Sequence, residues 1–170
     1  EARRMLIRVH ALAGTLATAM VTGVQTEGVG TSLKHFAANN QETDRMTVSA
    51  EVDERTLREI YLPAFEQVVT QAQPWTVMCS YNRINGVYAS EDPWVLPDVL
   101  RDDWGFRGLV VSDGGAVSRR EAAVAAGLDL EMPSSGGNGT AKILQALSEG
   151  RLSEADVDRA AARVLALVEL

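Results

Sequence analysis

The chain has 170 residues, a formal net charge of -7 and a composition that is 46% hydrophobic and 23% charged, which together indicate one globular domain. The negative charge argues against sequence-independent binding to nucleic acid, which needs basic side chains to neutralise phosphates. One cysteine excludes an internal disulfide, and one cysteine with two histidines excludes a zinc site of the usual Cys/His kind. We expect no metal and no other cofactor.

The first 24 residues predict an amphipathic helix, because apolar residues recur at three- and four-residue steps. A secretory signal peptide is the alternative, since Arg3 and Arg4 precede an apolar stretch, but Arg8 and His10 interrupt that stretch. No segment is apolar enough to cross a membrane. The sequence begins with Glu rather than Met, so the compartment stays open, with the cytoplasm favoured. The apolar positions are Leu6, Val9, Ala13, Leu16, Met20 and Val24.

The next segment predicts a short strand over residues 32–36 that carries Lys34 and His35 close to its end. The loop over residues 37–48 is rich in amide and charged side chains, which indicates more than a linker. A Lys-His pair on an ordinary surface is the alternative interpretation. These are the first polar groups at a predicted strand end.

The middle of the chain alternates helix and strand signals. Asp53 is a candidate N-cap, and Pro63 is expected to divide the helix that follows. Residues 75–81 predict a strand because they are rich in β-branched and aromatic side chains. Asn85-Gly86 is a strong turn signal, and a helix is predicted over residues 94–103.

Residues 109–111 predict a buried parallel strand, because three apolar residues lead directly into Ser112, Asp113 and two glycines. Side chains at the carboxyl ends of such strands meet substrate, so Asp113 is the first candidate for chemistry. The alternative is that Asp113 caps the helix expected to start near Ser118. That helix runs over 118–126, a short strand over 128–132, and two helices close the chain, the last with Ser153 and Asp156 as a capping pair.

Four strands alternating with helices predict an α/β fold with a parallel sheet. The intervals between strand ends bracket the roughly 30 residues per unit of a (β/α)8 TIM-like barrel of about 250 residues. About four units are present. The chain is therefore either a small open sheet or a single partial barrel domain over residues 1–170, apparently truncated.

Four motifs together resemble glycoside hydrolase family 3, in its β-glucosidase-like branch. They are KHFAANNQETDR (34–45), VMCSYN (77–82), WGFRGLVVSD (104–113) and AGLDLEMP (126–133). The resemblance implies that Asp113 is the catalytic nucleophile. It also implies that Lys34 and His35 donate hydrogen bonds to sugar hydroxyls, that Tyr81 lies beside the nucleophile and that Met78 lines the pocket. Arg45 matches a substrate-binding arginine, although its guanidinium could instead hold Asp113 in its ionised form.

The resemblance places the catalytic acid/base of this branch in a C-terminal α/β domain, which we expect to be absent from this chain. The β-N-acetylglucosaminidase branch carries a histidine in the loop after Lys-His-Phe, and residues 37–40 contain none. Two departures bear on activity. Gly114 stands where the family usually has an aromatic residue, and the segment before Leu16 does not resemble the region that supplies a sugar-binding Asp and Arg.

The resemblance implies a retaining glycosidase that removes terminal β-D-glucosyl residues, acting on a small β-glucoside or an oligosaccharide. A catalytically degenerate sugar-binding module is the alternative, because of Gly114 and the missing acid/base. A lyase or aldolase that uses Lys34 as a Schiff-base amine is a weaker one, since nothing in the sequence indicates the desolvated pocket that such a lysine requires. No nucleic acid or membrane partner is expected.

Overall fold

The centre of the fold is a parallel sheet. The structure is a computed structural model that describes the backbone of residues 2–170 and the side chains from residue 9 onward. The strands are β1 (Ser32–Phe36), β2 (Ser49–Ala50), β3 (Thr76–Cys79), β4 (Arg83–Ile84), β5 (Val87–Tyr88) and β6 (Leu109–Val111). The α-helices are α1 (Ala2–Thr26), α2 (Glu54–Thr56), α3 (Pro63–Ala72), α4 (Arg120–Ala126), α5 (Asn138–Ser148) and α6 (Glu154–Val168). The predicted α/β class is confirmed.

The main sheet has the strand order β1-β3-β6, and both pairings are parallel. All three strands therefore end at the same edge of the sheet. Crossover segments that contain helices connect them, as parallel pairing requires. A second, smaller sheet of order β2-β4-β5 contains a hairpin whose turn is Asn85-Gly86, both with positive φ, as a two-residue type I′ turn demands.

The prediction of a strand over the whole of residues 128–132 is wrong, because the paired segment is shorter. The segment makes a single parallel bridge, between Val111 and Leu130. The backbone N–H of Val110 donates to the Asp129 carboxylate at 2.8 Å rather than to a carbonyl group. A side chain thus takes the place of a ladder hydrogen bond, and regular pairing does not extend.

Local sequence signals correctly predict where helices in the middle of the chain begin. The Asp53 carboxylate accepts a hydrogen bond from the Thr56 N–H at 3.0 Å, and Pro63 is the first residue of α3. The turn Leu57–Tyr61 before Pro63 and the helix Val95–Asp103 both have the wider i→i+5 hydrogen bonds of a π-helix. The pattern of apolar residues does not distinguish such turns from α-helix.

Helix α1 forms as predicted, but its regularly spaced apolar residues do not face the core. Val9, Leu16 and Met20 are all more than half exposed, whereas Gly14 and Val21 are buried. A Cβ at Gly14 would lie 3.3 Å from the Ala64 Cα of α3, tighter than ordinary contact, so the glycine allows the two helices to approach closely. Leu6 lies outside the described side chains. None of the described helices has the length and hydropathy needed to cross a membrane.

A buried ion network ties β6 to two helices. Asp129 has no exposed side-chain surface and accepts from Arg101 Nη2 at 2.7 Å and from Arg163 Nη1 at 2.9 Å. Burial lowers the pKa of Arg101 to about 10, against the attraction of Asp129, so the guanidinium is still charged at neutral pH. The carboxylate holds strand β6, the helix Val95–Asp103 and α6 at one point.

Cys79 is fully buried on β3, and burial raises the pKa of its thiol to about 12, with the Asp129 charge acting in the same direction. We expect no reaction with a thiol reagent such as DTNB in the folded protein at pH 8, because the reactive thiolate is scarce and inaccessible. Full reaction is expected after denaturation in guanidinium chloride. Rapid labelling without denaturant would contradict this buried, protonated state.

Candidate active site

Side chains from two of the three parallel strands meet at the carboxyl edge of the sheet. Asp113 lies two residues beyond β6, and His35 is the fourth residue of β1, on the other side of β3. The distance from His35 Nε2 to Asp113 Oδ2 is 3.3 Å. The Asp113 side chain is 18% exposed, so the carboxylate is accessible without being fully solvated.

The other Asp113 oxygen, Oδ1, accepts a hydrogen bond from the Gly114 N–H at 2.7 Å. Each carboxylate oxygen therefore has a different neighbour, which fixes the orientation of the group. The alternative in which Asp113 caps a helix is wrong. Helix α4 begins at Arg120, its N-cap is Arg119, and no side chain caps it.

Tyr81 lies close to Asp113. Its hydroxyl group donates to the Gly114 carbonyl at 2.9 Å. Burial and the neighbouring Asp113 carboxylate raise the pKa of Tyr81, while Arg45 acts in the opposite direction. The phenol is therefore protonated at neutral pH, and its proton is donated to the Gly114 carbonyl group.

Arg45 acts on Tyr81 rather than on Asp113. Its guanidinium lies 4.8 Å from the centre of the Tyr81 ring, and Nη1 pairs with Glu42 Oε2 at 2.8 Å. The structure shows no ion pair between Arg45 and Asp113 among the described residues, so the role in holding Asp113 ionised is not supported.

The remaining two candidate site residues are Lys34 and Met78. Lys34 is exposed on β1, next to His35, with no hydrogen bond or ion pair in the described part of the chain. Met78 is half-buried on β3 at the register position of Val111, two residues before Asp113. Both stand on the strands that form the site.

The loops that follow the strands are held together by polar side chains at the strand ends. Ser80 Oγ donates to the Ala37 carbonyl at 2.9 Å, which joins the loop after β3 to the loop after β1. Ser112 Oγ accepts from the Met132 N–H at 2.8 Å, and Gly115 N–H donates to the Met132 carbonyl at 2.8 Å. Asp113 thus projects from a loop anchored on both sides.

A cavity of about 290 Å³ lies next to this loop, and we name it the Tyr88 pocket. Tyr81 and Gly115 line it, which places it beside Asp113. Sequence reasoning missed Met46 and Tyr88, since neither belongs to a strand end or to a quoted motif. Its other lining residues are Thr47, Ala116, Val117 and Ser118.

The described residues contain no group of three or more His, Cys, Asp or Glu side chains arranged to hold a metal ion. The polar groups at the strand ends are instead a carboxylate, an imidazole, a phenol and an ammonium group. Such a set can bind hydroxyl groups and attack an electrophilic carbon.

Comparison with known proteins gives one family. The model of the glycosyl hydrolase family 3 N terminal domain matches residues 8–167. An exo-alpha-(1->6)-L-arabinopyranosidase of Bifidobacterium breve is 57% identical over 157 residues, covering 92% of this chain and 20% of that protein. Thermostable beta-glucosidase B of Acetivibrio thermocellus is 53% identical, covering 92% of this chain and 21% of that protein. The chain spans about a fifth of the length of these relatives.

Solved structures agree with the fold. A family 3 beta-glucosidase from Bifidobacterium adolescentis superimposes with a TM-score of 0.84 at 55% identity, over 89% of this chain and 22% of that chain. Beta-glucosidase 3B from Thermotoga neapolitana, in complex with glucose, gives a TM-score of 0.90 at 44% identity, over 94% of this chain and 23% of that chain.

Proposed function

Because this chain belongs to glycoside hydrolase family 3, we propose that it carries the nucleophile and part of the sugar-binding site of a retaining β-glucosidase. The observation that carries the proposal is the 3.3 Å approach of His35 to Asp113 at the shared end of parallel strands, with the Tyr81 hydroxyl group bonded to the neighbouring Gly114 carbonyl group. The barrel-like α/β fold is the one that its structural neighbours have.

In the proposed reaction, a carboxylate oxygen of Asp113 attacks the anomeric carbon while the bond from that carbon to the leaving oxygen breaks. The Gly114 N–H donates to Oδ1 and His35 Nε2 lies 3.3 Å from Oδ2, and the two contacts orient the carboxylate for attack. His35 and Lys34 would donate to hydroxyl groups of the sugar from the β1 side. Water then cleaves the glycosyl-enzyme ester, which gives net retention at the anomeric carbon.

The leaving oxygen needs a proton, and a retaining enzyme places the donor carboxyl group about 5 to 5.5 Å from the nucleophile. Glu42 is committed to Arg45, and Glu131 lies 3.3 Å from Arg120 Nε. Both carboxylates are thus paired with guanidinium groups. We therefore propose that the acid/base comes from a part of the protein outside this sequence.

A second substrate has specific support. The relatives from Bifidobacterium breve and Bifidobacterium longum that are 57% identical are named exo-alpha-(1->6)-L-arabinopyranosidases, against 53% for the thermostable beta-glucosidase. An α-L-arabinopyranoside has its anomeric bond on the same side of the ring as a β-D-glucopyranoside, but it lacks the exocyclic CH₂OH group and has the opposite configuration at C4. The same nucleophile would serve both substrates.

The Schiff-base alternative loses support, because the Lys34 side chain is exposed and a Schiff-base lysine depends on desolvated surroundings. The sugar-binding module without catalysis stays as the alternative. The natural protein that carries this sequence should hydrolyse p-nitrophenyl β-D-glucopyranoside or α-L-arabinopyranoside, with proton NMR showing retained configuration in the first product. Binding of both sugars without turnover would favour the module.

Gly114 gives a prediction on affinity. The residue is exposed, its φ is not in the left-handed region, and a Cβ would meet only Tyr81 Oη at 3.6 Å, so a side chain fits. Replacing Gly114 with Trp should tighten inhibition by glucose about three- to tenfold, since an aromatic face adds about 0.5 to 1.5 kcal/mol.

The matched control is Gly114→Ala, which adds a Cβ without a ring and should leave the inhibition constant within about twofold, because one methyl group adds little contact area. Equal tightening by both variants would show that backbone stiffening, and not the ring, is responsible. Unchanged inhibition by the Trp variant would place residue 114 away from the sugar.

A further inference from the structure

A second cavity of about 290 Å³ lies away from Asp113, and we name it the Tyr61 pocket. Neither Asp113 nor any of the five proposed sugar-binding residues lines it. The loop after β1, strand β2 and the turn before α3 enclose it. Its polar lining consists of Asn40, Gln41, Ser49, Glu51, Tyr61 and Asn82. We propose that the Tyr61 pocket binds one neutral, polyhydroxylated ring, such as a free monosaccharide, independently of the proposed catalysis at Asp113.

The charges of the lining exclude anions. Glu51 is the one charged residue among those that line the pocket, and no Lys or Arg lines it. A phosphate or carboxylate would therefore lack a cation and would face a carboxylate. A ligand with neutral hydroxyl groups meets no such penalty.

The neutral polar groups match hydroxyl groups in both directions. Ser49 Oγ already donates to Glu51 Oε1 at 2.6 Å and Gln41 Nε2 to the Thr43 carbonyl group at 2.9 Å, so the side chains of Gln41 and Glu51 offer acceptor oxygens. The Tyr61 ring supplies an apolar face for the C–H side of a sugar. Asn40 and the Tyr61 hydroxyl group have no hydrogen-bond partner within the part of the chain that the structure describes. Their hydrogen-bonding capacity is free for a ligand.

Asn82 provides independent evidence for a missing donor. The residue is fully buried, and its Nδ2 donates to the Ala37 and Arg83 carbonyl groups. Its Oδ1 accepts from no group in the described chain. A buried acceptor without a partner is unfavourable, and a ligand hydroxyl group could supply the missing donor.

The volume limits the ligand to a single ring. Pockets for small molecules typically enclose about 300 to 1,000 Å³, so about 290 Å³ is at the lower limit. A disaccharide would extend beyond the pocket. We therefore expect a preference for monosaccharides over the two-ring sugars that contain them.

The test uses D-glucose as the probe and the natural protein that carries this sequence, with Lys34 and His35 both replaced by Ala. That double substitution removes two of the five proposed sugar contacts at Asp113 and should weaken binding there, so that the pocket variants can assign the binding that remains. A saturation-transfer NMR titration should show glucose binding that persists in this background, and no comparable binding of cellobiose.

Two further variants then locate the site. Ala50→Phe places a ring in the pocket and should abolish the remaining glucose signal. Asn40→Ala removes an exposed amide that makes no described contact, so folding is unaffected, and it should weaken binding about three- to tenfold, the effect of one hydrogen bond. Gln71→Ala, an exposed amide on α3 outside the pocket, is the control and should change nothing.

Complete loss of glucose binding in the Lys34/His35 double variant would overturn the proposal, because all binding would then belong to the Asp113 site. Unchanged residual binding in both Ala50→Phe and Asn40→Ala would overturn it as well. A failure of the proposed glycosidase function would appear separately, as absent turnover in the unsubstituted protein while glucose binding at the Tyr61 pocket persists.

Discussion

Replacing Asp113 with Asn is expected to lower kcat for an aryl β-D-glucoside by a factor on the order of 10⁴ or more, the scale seen when a residue of the covalent machinery is removed. An amide at this position cannot form the ester intermediate. The fold should persist, because Asn keeps the size of the side chain and an oxygen that can accept from the Gly114 N–H, and the position is partly exposed. Steady-state kinetics and a thermal unfolding curve check both statements.

The control is Asp98→Asn, which makes the same chemical change at an exposed residue of the helix Val95–Asp103. Its kcat should stay within about twofold of the unsubstituted value, since surface substitutions far from a site rarely matter. Equal turnover by the Asp113 variant and the Asp98 variant would remove Asp113 from the mechanism.

Replacing Asp129 with Ala should lower the free energy of unfolding by about 3 to 5 kcal/mol, the typical cost of breaking a buried ion pair. The change leaves Arg101 and Arg163 without their shared carboxylate, and it also removes the acceptor for the Val110 N–H. Guanidinium chloride unfolding of the natural protein measures the effect. The large value is expected because Asp129 is completely buried.

Asp103→Ala is the matched control for this prediction. Its carboxylate pairs with Arg58 at 3.0 Å, but 48% of its side chain is exposed. Such surface pairs contribute about 0 to 1 kcal/mol, so the loss should be small. Similar destabilisation by the two Ala variants would show that the Asp129 network does not hold β6 against its helices.

Much of the fold could be predicted from local signals. The apolar runs that end in polar residues identified β1, β3 and β6, and parallel pairing then required Asp113 and His35 to share one edge of the sheet. The turn at Asn85-Gly86 and the cap at Asp53 were also predicted, because backbone chemistry alone determines them.

The sequence-based predictions that failed concern features that depend on tertiary packing. The spacing of apolar residues in α1 does not reveal that Gly14 faces α3 while Met20 faces solvent, since the choice depends on what packs nearby. The contact of Arg45 with Tyr81, and not with Asp113, depends on how the loop after β1 folds back. Likewise, the Tyr61 pocket is lined by residues that lie up to 44 positions apart in the chain. The periodicity of apolar residues in the sequence does not predict such long-range contacts.

The central claim, that Asp113 is the nucleophile of a retaining glycosidase, is tested most directly by trapping the glycosyl-enzyme. The reagent is 2,4-dinitrophenyl 2-deoxy-2-fluoro-β-D-glucopyranoside, whose leaving group departs as a stable anion and needs no acid catalyst. The fluorine slows hydrolysis of the ester that forms, so the adduct accumulates. The natural protein is treated, digested and mapped by mass spectrometry. We predict one fluoroglucosyl group on the Asp113 carboxylate, and a label on another residue, or no label in a protein that hydrolyses the aryl glucoside, would contradict the assignment.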